Sequence, residues 1–406
     1  MKRIVFSEIE GRSAGFRGLA GLLALLFLGG LASYAYVEHA GHWVTGGTNQ
    51  VVWGIPDVFA MFLIVSASGA LNVAIISSVF RKALYRPLER LSCLLAIAML
   101  VGGLMILVLD LGRSDRVIVP MLNRNLKSQF AWNLVLYMGF IVIVASYLWV
   151  QMERRMNRFI PAAGMAAFLW RLVLTTGSGS IYGFLVAREA YSAILAPMFI
   201  AMSFSYGLAV YNLVLLAIFR GSGREIGDVV IRRLGRLLGI FVAVVLYFAA
   251  VQHLTGLYAA EHGDFERFIL SEGGIYPLLF WGGQVLLGGL LPMALLFGSS
   301  RGGAALPAPV FAIASALVVV GALSQLYVII IGGQAWPLTL FPGMEVSSSF
   351  YDGVINSYTP RLPDLALGFG GVGLAGLIVV IGIKLLRFLP ATLANSAIDP
   401  HHPVAK

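Results

Sequence analysis

Ten long apolar stretches separated by short connections leave this chain few options. Each is long enough to cross about 30 Å of hydrocarbon as a helix, and lipid tolerates no unpaired backbone amides. They fall at 16–37, 56–80, 91–111, 130–150, 161–187, 193–219, 237–258, 275–298, 308–333 and 365–386. Composition agrees: 59% of residues are hydrophobic and 12% charged, with a mean hydropathy of +0.88, unlike soluble domains. The expected fold is an all-α integral membrane protein of about ten transmembrane helices, built as two related four-helix bundles plus extra helices. A single polytopic domain over 1–390 is followed by a tail over 391–406, expected to be disordered after Arg387.

Charge sets the expected orientation. Of the 28 Lys and Arg residues, twenty fall in the termini and connections of one side, seven on the other, and Arg171 lies within a span. Basic connections stay in the cytoplasm, so both termini are expected there, in a bacterial inner membrane. The net charge of +9 then reflects insertion and anionic lipid rather than nucleic acid, which is excluded as a partner. The first apolar run is too long for a cleaved signal peptide. The single cysteine, Cys93, rules out an internal disulfide and a cysteine-ligated cluster held by this chain alone. Pro56, Gly69 and Asn72 in the second stretch recur in order as Pro197, Gly207 and Asn212 in the sixth, a faint sign of internal repetition.

Chemistry is sought where ionisable groups enter apolar spans, since each is costly there unless paired or hydrated. Asp110 closes a long apolar run and Arg113 follows one helical turn later. One reading is an interfacial ion pair that ends the helix; the other is a carboxylate partly removed from water that exchanges protons. The topology places His42, Trp53, Asp57, Asn133 and His253 at the same outer depth, although Trp53 also suits an interfacial belt. A transmembrane haem needs two buried histidines, and His253 has no such companion. His39 and His42 form a loop pair better read as solvated than as metal ligands, so no metal site is expected. Deeper, Arg171 is followed by Thr175 and Thr176. Either Arg171 snorkels to the inner interface, or with Asn72, Asn133 and the threonines it lines a hydrated proton path.

The runs Asn49-Gln-Val-Val-Trp-Gly54, Leu109-Asp-Leu-Gly-Arg113, Lys127-Ser-Gln-Phe-Ala-Trp-Asn133 and Thr175-Thr-Gly-Ser-Gly179 resemble the NrfD/PsrC family, membrane subunits of polysulfide, nitrite and related respiratory oxidoreductases. Glu153-Arg-Arg-Met-Asn157 and Trp170-Arg-Leu-Val-Leu-Thr175 are most similar to the DsrP-type members of sulfur-metabolism (Dsr) membrane complexes. The resemblance covers nearly the whole chain. It implies a subunit with no bound cofactor that takes a quinone, menaquinone or ubiquinone, as substrate near the outer face. Electrons would pass to or from a periplasmic ferredoxin-like iron–sulfur subunit, beside cytochrome and other subunits, with proton translocation as a companion expectation. Asp110 matches the family's acidic residue, so a quinone proton-acceptor role carries over to it. Asp57 stands where the family leads one to expect histidine or a neutral residue. The competing class is a proton-coupled secondary transporter, which also carries a buried Arg and an intramembrane carboxylate.

Overall fold

A computed structural model describes residues 5–123, 125, 127–185, 188–299, 305–338 and 353–398. Ten helices are long and apolar enough to cross a membrane: α1 (Ala14–Ala40), α2 (Ile55–Ser78), α3 (Ala83–Leu109), α4 (Gln129–Met152), α5 (Arg154–Gly183), α6 (Leu195–Gly221), α7 (Asp228–Tyr258), α8 (Ile275–Gly298), α9 (Ala308–Ala335) and α10 (Leu362–Leu385). Their starts carry the expected chemistry. Ser13 accepts from Phe16 N at 3.2 Å and Ser128 from Ala131 N at 3.4 Å, satisfying amides that have no partner within the helix. Asp57 and Asp364, each directly after a proline, reach back to the amides of Gly54 and Arg361 at 3.0 Å.

The packing resolves into two rings of four. In the first, α2 touches α3, α3 touches α4, α4 touches α5, and α5 returns to α2; α6 to α9 repeat the circuit. Helices α1 and α10 pair with each other, and α10 rests against α2 and α3. The rings meet mainly where α6 packs on α2 and α5. Of the apolar window of α2, 94% is buried, against 11% for α1, so α2 is the central post and α1 lies on the outside of the bundle. The sequence echo lands on this contact. Gly69 and Gly207 face each other, and a Cβ on either would strike the other helix's backbone at Ser203 or at Gly69 and Ala70. Such approach is how helices pack without a hydrophobic drive.

Three departures from regular helix matter. Helix α2 breaks between Ala70 and Asn72, and Ser92 of α3 bridges the gap, donating to Ala70 O at 2.7 Å and accepting from Ala74 N at 3.1 Å. Helix α8 is π-helical over Leu278–Leu290 and α9 over Val328–Gly332, a widening that often accompanies functional positions.

The tail differs from its expectation as a free segment. β2 (Leu389–Pro390) pairs antiparallel with β1 (Phe6–Ser7), and Asn395–Ile398 forms a short helical turn. Phe388, Leu389 and Leu393 are buried, which is why apolar side chains after α10 hold the chain down. Arg90 stacks 4.0 Å from the Phe6 ring and donates to the carbonyls of Arg387 at 2.9 Å and Gln151 at 3.1 Å. The run Asp399-Pro-His-His-Pro403 lies outside the described residues. Cys93 is fully buried, with the Gln151 amide 3.5 Å from its sulfur.

Candidate functional site

Three carboxylates from three helices gather at the predicted outer end. Asp57 (α2) and Asp364 (α10) are buried, whereas Asp110, following the last turn of α3, is partly buried. Asp110 lies within electrostatic range of Asp57, Asp364 and His42. His42 also packs on Gly112, whose φ of +66° and lack of a side chain leave room for the imidazole. Tyr358 joins the group: its hydroxyl accepts from Ile55 N at 2.9 Å and lies 3.3 Å from Asp364 Oδ2, which also accepts from Gly46 N at 2.8 Å.

The three acids do not stand alike. Asp57 and Asp364 occupy first turns, where a helix dipole favours negative charge and amides need acceptors. Asp110 sits at a helix C-terminus, where the dipole disfavours a carboxylate. Helix stability therefore explains Asp57 and Asp364 but not Asp110. The expected Asp110–Arg113 pair is replaced by another: Arg113 Nε binds Asp115 Oδ1 at 3.1 Å, both side chains well exposed. This hydrogen bond holds the Asp115 carboxyl below its ordinary range.

Other residues expected at this depth have separate neighbours. Trp53 is half-buried beside Tyr182, at 5.7 Å in an edge contact, and Phe130 at 5.9 Å, with the Arg188 guanidinium 4.8 Å from its ring. Gln334 of α9 pins its backbone, accepting from Trp53 N at 3.0 Å and donating to Trp53 O at 2.9 Å. Asn133 is a staple between α4 and α5, donating to Gln129 O at 2.9 Å and Gly177 O at 3.0 Å.

His253 belongs to the second ring. Its Nδ1 is 2.6 Å from Glu266 Oε2, and its ring meets the edge of Phe280 at 4.5 Å. Gln252, His253, Gln284 and Gln325 line a cavity of about 10 Å³, room for one water. Gln325 accepts from the Tyr206 hydroxyl while its amide nitrogen has no partner. His253, placed by the sequence at the same outer depth as Asp110, thus has a different set of neighbours.

Arg171 is fully enclosed, which removes the snorkelling reading. Its guanidinium donates to Asn72 Oδ1 and, at 3.3 Å, to Ser203 Oγ, and lies 4.6 Å from the Phe204 ring. Among the described residues no carboxylate forms a salt bridge with it, and its Nε and the Asn72 Nδ2 have no partner. Thr175 and Thr176 turn back onto their own helix, donating to Arg171 O and Leu172 O at 2.8 Å each. Arg171 and Asn72 therefore meet at the break in α2, and the two threonines line up behind them along α5.

Sequence reasoning missed Asp364, Tyr358, Glu266, Gln284 and Gln325. A signal existed for Asp364: Leu362-Pro-Asp364 repeats the spelling of Ile55-Pro-Asp57. The glutamines carry no charge and stood unmarked within apolar runs.

A family model for polysulphide reductase, NrfD, matches residues 43–337, a stretch spanning both four-helix rings. The Hdr-like menaquinol oxidoreductase integral membrane subunit of Archaeoglobus fulgidus is 30% identical over 402 residues, covering 98% of this chain and 99% of its own length. A protein named as a candidate membrane subunit of dimethyl sulfoxide reductase, from Halobacterium salinarum, is 27% identical, covering 92% and 91%. A selenate reductase subunit of Mesobacillus selenatarsenatis is 22% identical, covering 84% and 86%. With both rings matched and one relative aligned nearly end to end, this multi-pass chain belongs to the polysulphide reductase NrfD family.

Proposed function

We propose that the chain is the quinone-interacting integral membrane subunit of a respiratory sulfur-metabolism oxidoreductase complex, exchanging electrons between the quinone pool and a peripheral iron–sulfur subunit. Three names support the coarse reading, since the relatives are subunits of redox enzymes, two of them named as membrane subunits and one for menaquinol. The observation that carries it to residues is Asp110, a partly buried acid at a helix C-terminus, within electrostatic range of His42, Asp57 and Asp364.

In this reading a quinol head rests at that rim. Oxidation releases two protons and two electrons: Asp110 and His42 receive the protons, and the partner's cluster takes the electrons. Quinone reduction runs the same steps backward. Partners are a periplasmic ferredoxin-like subunit and a cytochrome, in a cytoplasmic membrane with both termini inside. Arg171, Asn72, Thr175 and Thr176 form the core of an accompanying proton path.

The broken α2 beside Arg171 favours a second reading, proton-coupled transport, because interrupted helices form the binding sites of many transporters. One variant separates the readings. Asp110→Asn, purified in its complex, is expected to assemble normally and lose quinol turnover by about 100-fold, the scale of a lost proton acceptor. Full turnover in the assembled variant would sink the redox reading, and solute uptake by the chain alone in proteoliposomes would put transport in its place.

A further inference from the structure

A large cleft lies beside the carboxylates, between α1 and α10 in the predicted outer half. It encloses about 590 Å³ and is lined by Gly29 and Ala32 of α1, Trp43 of the following turn, and Arg361, Leu362 and Pro363 at the start of α10. The two helices touch at Gly30 and Gly370 and are tied by Ser33 Oγ donating to Pro363 O at 2.7 Å.

Two short segments face both the cleft and the acid cluster. The turn His42–Val44 offers His42 to Asp110 and Trp43 to the cleft. Residues 361–364 offer Arg361, Leu362 and Pro363 to the cleft and Asp364 to the cluster. Arg361 locks the segments together by donating to Trp43 O at 3.1 Å. The same two segments therefore border both the cleft and the rim, and α1, with only 11% of its apolar window buried, leaves the cleft on the outside of the bundle. About 150 Å³ suffices for a benzene ring, so this volume is on the scale of a ligand pocket.

We propose that the α1–α10 cleft holds the isoprenoid tail of the quinone and delivers its ring from the lipid to the Asp110 rim. The proposal rests on the quinone reading above and adds a site whose two helices lie outside the stretch matched by the family model, which ends before α10 and begins after α1. Its occupant is an isoprenoid chain because the walls are mostly apolar, with Ser33, Tyr36 and Arg361 as their polar members, and the cleft lies on the outside of the bundle.

Gly29 gives a clean test, since a side chain there would meet nothing within 4 Å, as would one at Gly21 further down the same helix. The assembled complex carrying Gly29→Phe, in phosphatidylcholine vesicles, is expected to show a KM for long-tailed menaquinol raised at least about tenfold. The KM for a tailless menaquinol analogue should move by less than about twofold, and Gly21→Phe should match the unsubstituted complex. Equal losses with both substrates, or none with either, would overturn the cleft. So would an effect that vanishes when phosphatidylglycerol is added, which marks the cleft as a phospholipid seat. Asp110→Asn assayed with the tailless analogue keeps the two ideas apart: lost turnover there retains the quinone reading even where the cleft fails.

Discussion

The two four-helix rings share one circuit of contacts and bury different chemistry. In the first, a cation without a carboxylate, Arg171, sits at a break in α2 among Asn72, Ser203 and an aromatic ring. In the second, the interior holds neutral amides, Gln284 and Gln325, with an acid–imidazole pair, Glu266–His253, toward the predicted outer end. Ring geometry is set by small residues at crossings such as Gly69–Gly207. The polar interior is set by which side chains those crossings enclose. Duplication of a packing scheme therefore carries no duplication of function.

The contact between the rings is the place to break this contrast outright. Gly69→Leu drives a side chain into the Ser203 carbonyl, and overpacking of this kind costs about 3 kcal/mol. A clear fall in Tm for the detergent-purified chain is expected, and an unchanged Tm would mean that the rings are not held there. A milder effect isolates the first ring. Arg171→Leu should leave assembly and quinone binding intact yet reduce proton movement across sealed vesicles by about tenfold, as expected when a membrane-embedded charge serves a pathway. Undiminished proton movement would remove Arg171, Asn72 and the threonines from any route. The smallest effect sharpens the second ring. His253→Ala leaves Glu266 without its partner and should cost about 1–3 kcal/mol of stability with quinol turnover nearly unchanged, whereas His42→Ala should lower turnover with little change in Tm. Reversed outcomes for the two histidines would exchange the roles of the two centres.

The ionisable residues stood out in the sequence and their neighbours did not. Asp110 stood out because a charge ending an apolar run is rare, and Arg171 because it interrupts one. Yet the partner expected for Asp110 was Arg113, the nearest opposite charge along the chain, while the fold gave Arg113 to Asp115. His253 shares the depth of Asp110, but it points to Glu266 across a connection whose sequence suggests only a cap. Asp364 lies more than 250 positions from Asp110 in the chain, and only the docking of α10 on α2 and α3 brings them close. The tail escapes sequence reasoning for the same reason: polar residues at its end mask Phe388, Leu389 and Leu393, whose burial depends on a surface made by other helices.

The sequence by itself determined the ten helices, their alternation and the predicted outer and inner ends, because hydrocarbon thickness and backbone hydrogen bonding act on each segment independently. Tertiary structure alone decided which polar groups meet, that α2 breaks where Ser92 can bridge it, and that α1 and α10 line a cleft close to the acids. Those outcomes depend on distances between segments far apart in the chain, and local hydrophobicity holds no record of them.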